Sequence, residues 1–164
     1  MIYYEEYKDL FSVNADNTSE PYNLAHCISA DFGMFGGIVV EFNRRFNMKQ
    51  RLIEKYHSKE EEFLTNGPMC LAEECNDEFG NIFTVYNLVT KPTVASLPTY
   101  ITLELSLFEM REMMKIQGCK KLAIPTIGCG IDGLDWEVVR ELIHYVFAGT
   151  DIEILVCKLE ESSI

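Results

Sequence analysis

The alternation at Ile2-Tyr3-Tyr4 predicts an opening β-strand, and the mostly apolar run Tyr22 to Ile28 predicts a strand buried on both faces. After Gly36-Gly37 the pattern changes. Ile38, Phe42, Arg45 and Phe46 recur at a helical period, which continues through Met48 to Tyr56. The run Lys59-Glu60-Glu61-Glu62 reads as a solvated face or loop and carries no chemistry. Pro68 to Glu73 and Ile82 to Val89 are strand candidates. The turn-rich segment Asn76-Asp77-Glu78-Phe79-Gly80 between them predicts an antiparallel hairpin. Thr99 to Gln117, with apolar Ile101, Leu105, Phe108 and Met113 and a stop at Gly118, predicts a long amphipathic helix. Lys121 to Ile127 follows as a strand, Asp135 as the cap of a helix over Trp136 to Phe147, and Ile152 to Val156 as a last strand. Strands alternating with helices imply an α/β fold, a mixed sheet with helices on both faces. In such sheets ligands sit outside the carboxyl ends of the strands.

A chain of 164 residues is the size of one domain, and 48% hydrophobic with 24% charged residues is ordinary globular composition. The acidic start MIYYEEYKDLF is unlike a signal peptide, and no apolar run approaches the roughly 18 residues of a membrane span, so a cytoplasmic protein without membrane contact is expected. The six cysteines include no pair at zinc-knuckle spacing and read as reduced, mostly buried thiols; neither a metal nor a cofactor is expected. The net charge of −12 opposes long-range attraction to nucleic acid. An anionic ligand must therefore be held by local donors.

Two glycine loops supply such donors. Gly33, Gly36 and Gly37 lead into a helix whose first N–H groups lack partners, and Gly128, Gly130 and Gly133 repeat the arrangement after another strand. Each loop alone reads as a tight turn. Two at equivalent strand ends read as facing amide nests for a diphosphate. Neither matches the dinucleotide fingerprint or the Walker pattern.

The stretches Leu24-Ala-His26-Cys27-Ile28-Ser29-Ala-Asp31, Gly36-Gly37-Ile38, Leu88-Val89-Thr90-Lys91, Pro98-Thr99-Tyr100 and Pro125-Thr126-Ile127-Gly128-Cys129-Gly130-Ile131-Asp132-Gly-Leu-Asp135-Trp136 closely resemble the macrodomain superfamily. Within it they look like the terminal ADP-ribose protein glycohydrolase branch, whose relatives include antitoxins that remove ADP-ribose from DNA. The resemblance covers nearly the whole chain and implies one three-layer α/β/α macrodomain over residues 1–164, acting as a monomer. It places adenine near Asp9 and Leu10. The diphosphate would lie between Gly36, Gly37 and Ile38 on one side and Thr126, Ile127, Gly128, Cys129, Gly130 and Ile131 on the other. The distal ribose would lie near Ser29, Lys91 and Asp132, with His26 beside it. It implies that Lys91 attacks the anomeric carbon of that ribose and that Asp132 assists and then resolves the adduct, releasing ADP-ribose from acidic side chains of proteins. Deacetylation of O-acetyl-ADP-ribose is implied as a companion activity. A non-catalytic ADP-ribose reader, a hydrolase acting on ADP-ribosylated nucleic acid and an ADP-ribose 1″-phosphatase are the alternatives. The chain departs from the branch at Lys8, where a glycine is usual, and at Thr126, where a base is usual. The asparagine-rich loop of other hydrolytic macrodomains is absent.

The residues taken singly have plainer readings. Lys91, extended before Pro92, is an ordinary surface lysine, Asp132 and Ser29 are turn residues, and His26 is a hydrogen-bonded core histidine. Cys27 and Cys129 have no histidine in a partner motif, which excludes cysteine catalysis. Trp136 is expected to anchor its helix to the core.

Overall fold

A computed structural model describes residues 1–16 and 20–159. Six strands, β1 (Ile2–Tyr7), β2 (Asn23–Ser29), β3 (Met69–Asn76), β4 (Ile82–Lys91), β5 (Lys121–Ile124) and β6 (Glu153–Lys158), form one sheet in the order β1-β6-β5-β2-β4-β3. The first five in that order run parallel, and β3 pairs antiparallel with β4 at the edge. The mixed sheet and the hairpin are as the pattern implied.

The sheet is covered on both faces. On one, Phe42 of α1 (Val39–Phe46) and Met48 and Leu52 of α2 (Met48–Tyr56) pack on Leu24, Ile28, Val85 and Val89. On the other, Leu103, Leu107, Met110 and Met114 of α4 (Tyr100–Gln117) and Val139, Ile143 and Val146 of α5 (Trp136–Phe147) pack on Tyr86, Leu88, Ile154 and Val156. Burial on both faces explains why β2 reads as a continuous apolar run. The expected α/β/α layering is therefore present.

Local chemistry sets the element ends. The helical period after Gly37 breaks at Asn47, which takes a left-handed conformation with φ 54° and separates α1 from α2. The acids after Lys59 open a short helix, α3 (Glu60–Asn66), that buries no residue. Thr99 and Thr102 cap α4 reciprocally, and Gly118 ends it with φ 71°. Asp135 accepts from the Glu137 amide at 2.9 Å to start α5. β5 ends at Ile124, three residues short of the expected boundary, because Pro125 has no N–H for the ladder.

All the parallel strands present their carboxyl ends at one edge of the molecule, at Tyr7, Ser29, Lys91, Ile124 and Lys158. There β4 carries a bulge. Ile28 pairs with Val89 but Ser29 pairs with Lys91, so Thr90 is skipped and Lys91 comes level with Ser29. None of the helices among the described residues is long and apolar enough to cross a membrane.

Candidate active site

A cleft of about 1110 Å³ runs along these strand ends, from Tyr7 and Lys8 at one end to Lys91, Val94 and Asp132 at the other. Its volume suits a ligand of dinucleotide size. Asp9, Leu10, Ser29, Gly36, Gly37, Ile38, Lys91, Thr126, Ile127, Gly128, Gly130, Ile131 and Asp132 all line it, so most residues singled out in the sequence converge on one surface.

Two do not. His26 is fully buried with Nε2 2.6 Å from Asn87 Oδ1 and its ring stacked on Phe42 at 3.8 Å, so it is a core residue that does not reach the cleft surface. Burial depresses its pKa to about 4 against the Asn87 hydrogen bond, which leaves the ring neutral. Cys129 points away from the cleft, with Sγ 3.3 Å from the Ile127 carbonyl and its side chain against the α4–α5 core. Gly33 also departs from expectation. Its amide donates to Asp31 Oδ1 at 3.1 Å, and a Cβ there would lie 2.6 Å from Val94 Cβ, so this glycine serves loop-to-loop packing.

The glycine loops present free amides. Ile38 is the N-cap of α1 and offers no side-chain cap, and among the described residues the N–H groups of Gly37, Ile38 and Val39 have no acceptor. In the second loop Gly133 N–H bonds to the Gly130 carbonyl and Leu134 N–H to the Gly128 carbonyl. The amides of Gly130, Ile131 and Asp132 remain without an acceptor among the described residues. The two sets form the facing nests an anion needs. They meet across the cleft, since a Cβ on Gly36 would lie 2.6 Å from Ile131 Cδ1.

At the far end Lys91 Nζ donates to Asp132 Oδ1 at 2.7 Å, with the two side chains 11% and 16% exposed. The bulge positions the lysine and the turn closed by Gly133 positions the aspartate. A carboxylate that the sequence reading did not assign fixes the surroundings. Asp31 accepts from the Ser29 hydroxyl at 2.5 Å, the Gly33 amide at 3.1 Å and the Val94 amide at 3.0 Å, tying the first glycine loop to the segment after Lys91. Burial raises its pKa, but these three donors outweigh it and hold the carboxyl below the usual aspartate range. The Ser29-x-Asp31-x-Gly33 spacing was the available signal.

Cys27 lies under the pair, and burial, reinforced by the Asp132 charge, pushes its thiol far above the ordinary value. Burial likewise raises Cys129 to about 11. Raised in this way, both thiols are disfavoured as thiolates. Trp136 packs half-buried against the α4–α5 core and donates to Glu5 Oε1 at 3.3 Å.

The charge of the cleft differs from that of the chain. Lys8, Arg45, Lys91 and Lys158 face it against Asp9, Glu41 and Asp132, a small local excess of positive charge in a chain of net −12.

No protein-family model matches the chain. It is 36% identical over 137 residues to the human ADP-ribose glycohydrolase OARD1, covering 84% of this chain and 82% of that protein. The bovine ADP-ribose glycohydrolase OARD1 is 35% identical over the same lengths. Among solved structures, the macrodomain of Mycobacterium tuberculosis DarG superposes with a TM-score of 0.75 at 16% identity, over 98% of this chain and 99% of that one. Thermosipho africanus DarTG in complex with ADP-ribose superposes with a TM-score of 0.66 at 21% identity, over 87% of this chain and 39% of that one.

Proposed function

Because the chain belongs to the macrodomain family of the ADP-ribose glycohydrolase OARD1 and is a hydrolase of that fold, we propose that it releases ADP-ribose from glutamate and aspartate side chains of modified proteins through Lys91 and Asp132. We read residues 1–164 as one macrodomain acting as a monomer. The observation that carries the proposal is the largely buried pair Lys91 Nζ and Asp132 Oδ1, 2.7 Å apart at the end of a cleft lined by free amides.

In this reading the amides of Gly37 to Val39 and Gly130 to Asp132 hold the diphosphate, and the adenosine lies toward Asp9 and Leu10. The distal ribose then faces Lys91. Nζ passes a proton to Asp132, and its lone pair attacks the anomeric carbon. The bond from that carbon to the acyl oxygen breaks, and the electron pair leaves with the carboxylate, which needs no general acid. Asp132 sheds its proton to solvent and next takes one from water. The resulting hydroxide attacks the anomeric carbon, the carbon–nitrogen bond breaks, and the amine recovers the proton from Asp132. The net products are ADP-ribose, a carboxylate and one proton. O-acetyl-ADP-ribose presents an acyl ester on the same ribose, and its deacetylation is the companion activity proposed.

The test is ADP-ribose release from an acceptor modified on glutamate. Lys91→Ala is expected to lose at least about 10³-fold in kcat, the scale of removing a covalent nucleophile. Asp132→Ala is expected to accumulate a Lys91 adduct visible by mass spectrometry. Equal release by wild type and Lys91→Ala would sink the lysine mechanism. Tight ADP-ribose binding without release from any substrate would make the protein a reader.

A further inference from the structure

The leaving carboxylate belongs to a macromolecule that cannot enter the cleft, so whatever carries the ADP-ribose lies across the mouth beside Lys91 and Asp132. Phe35 stands there. It is 75% exposed and lines the cleft between Gly36, which touches Ile131, and Gly33, which touches Val94. Ile131, next to Asp132, is 72% exposed on the facing loop.

The loop spends conformational energy in a pattern that isolates this ring. Phe32 and Met34 both take left-handed backbone conformations, with φ 57° and 53°, a region costing roughly 1–2 kcal/mol for each non-glycine residue. Both side chains are buried in the core under α1. Asp31 clasps the loop at its start through the Gly33 and Val94 amides. A loop anchored at three successive places that leaves its remaining aromatic in solvent has that ring available for a partner. Lys49 supports one side of it, with Nζ 5.1 Å from the ring centroid and bonded to the Gly33 carbonyl at 3.2 Å.

We propose that Phe35 selects the acceptor protein, by packing against an apolar or aromatic side chain next to the modified glutamate or aspartate. This rests on the function proposed above. A nucleobase could also stack on the ring, but a strand needs cations for its phosphates. Lys49 and Lys91, the cations placed beside this ring and the pair, are engaged by the Gly33 carbonyl and Asp132, in a chain of net −12. A protein acceptor fits these facts better.

The experiment measures binding separately from turnover. In a Lys91→Ala background, which does not cleave, the Kd is measured for free ADP-ribose and for two peptides carrying ADP-ribosyl-glutamate, one with aromatic neighbours and one with glycines. Adding Phe35→Ser is expected to weaken the aromatic peptide about tenfold and to leave the glycine peptide and ADP-ribose within twofold; Phe35→Tyr retains the preference. Equal affinities for the two peptides before the change, or no effect of Phe35→Ser, would overturn the proposal. Weaker binding of free ADP-ribose would also overturn it, making Phe35 a contact to the nucleotide. A tenfold loss on an ADP-ribosylated oligonucleotide with the peptides unmoved would assign the ring to nucleic acid. Wild-type turnover is assayed in parallel, so failure to release ADP-ribose overturns the enzymatic reading while the binding result still decides the role of Phe35.

Discussion

Replacing Asp31 by alanine removes a single carboxylate that no reaction step uses, yet both stability and turnover should fall. The group accepts from the Ser29 hydroxyl at 2.5 Å and from the Gly33 and Val94 amides at 3.1 and 3.0 Å. Hydrogen bonds to a charged acceptor contribute about 1.5–3 kcal/mol each. The site is partly open and water can serve the stranded donors, so the expected loss is about 2–4 kcal/mol rather than the sum of the three. For a domain of this length that is a fall in Tm of roughly 4–16 °C. Val94 lies three residues after Lys91, so slack there spreads into the Lys91–Asp132 geometry, and kcat on a modified acceptor should drop more than ADP-ribose affinity. Asp31→Asn, which keeps one acceptor oxygen, should recover part of the stability. Because the folded pKa is lowered, the stabilisation is fully present above the ordinary aspartate value of 3.8 and is lost as pH falls from there through the folded value. Circular-dichroism melts of the three proteins between pH 7 and pH 2 read the stability changes, and turnover beside ADP-ribose calorimetry reads the split between kcat and affinity. An alanine variant that melts with wild type at neutral pH would show that Asp31 is not a clasp.

Gly36→Val should weaken ADP-ribose binding by about tenfold or more in calorimetry while leaving Tm nearly unchanged. Its Cβ would meet the exposed, movable end of Ile131 at 2.6 Å, so the new methyls occupy the gap between the loops instead of straining the core. Glu5→Gln should cost about 1–3 kcal/mol in urea unfolding at neutral pH, since Glu5 takes hydrogen bonds from Arg140 and Trp136 that join β1 to α5, and one from Tyr3 within β1. Its carboxyl is held at about 2, chiefly by the Arg140 guanidinium and against burial, so the wild type should lose more stability between pH 4.5 and pH 2 than the glutamine variant, which lacks this share of the loss.

The sequence carried the layers, the hairpin and the α5 cap because each has a local cause: a period, a turn residue, an Asp one residue before a helix. It carried the two loops for the same reason. What it did not carry depended on partners far along the chain. Thr90 looks like any strand residue, and only the pairing of β4 with β2 shows that it is skipped and that Lys91 lands opposite Ser29. Gly33 looks like its neighbours Gly36 and Gly37, and only the approach of Val94 separates packing from binding. His26 shares a strand face with the cleft-lining Ile28, but it stands two residues further from the strand end, where Phe42 of α1 covers its ring and Asn87 of β4 bonds it. Motif proximity alone cannot show that cover.

The net charge of −12 still has to be squared with an anionic ligand, and the structure separates two scales at which it acts. At long range the chain repels polyanions, which favours a short, locally held ligand over an extended strand. Inside the cleft, Lys8, Arg45 and Lys158 at the Asp9 end and free amides in the middle provide attraction without any base in either glycine loop. Thr126, where a base is usual in the branch, is tolerable on this account, because a neutral nest does not weaken with salt as an ion pair between exposed groups does. Among the described residues it also leaves Asp132 as the carboxylate that lines the cleft beside Lys91, already paired with it at 2.7 Å. A basic residue within the second loop would compete with Lys91 for that carboxylate, and the proton it is proposed to take would have a rival donor.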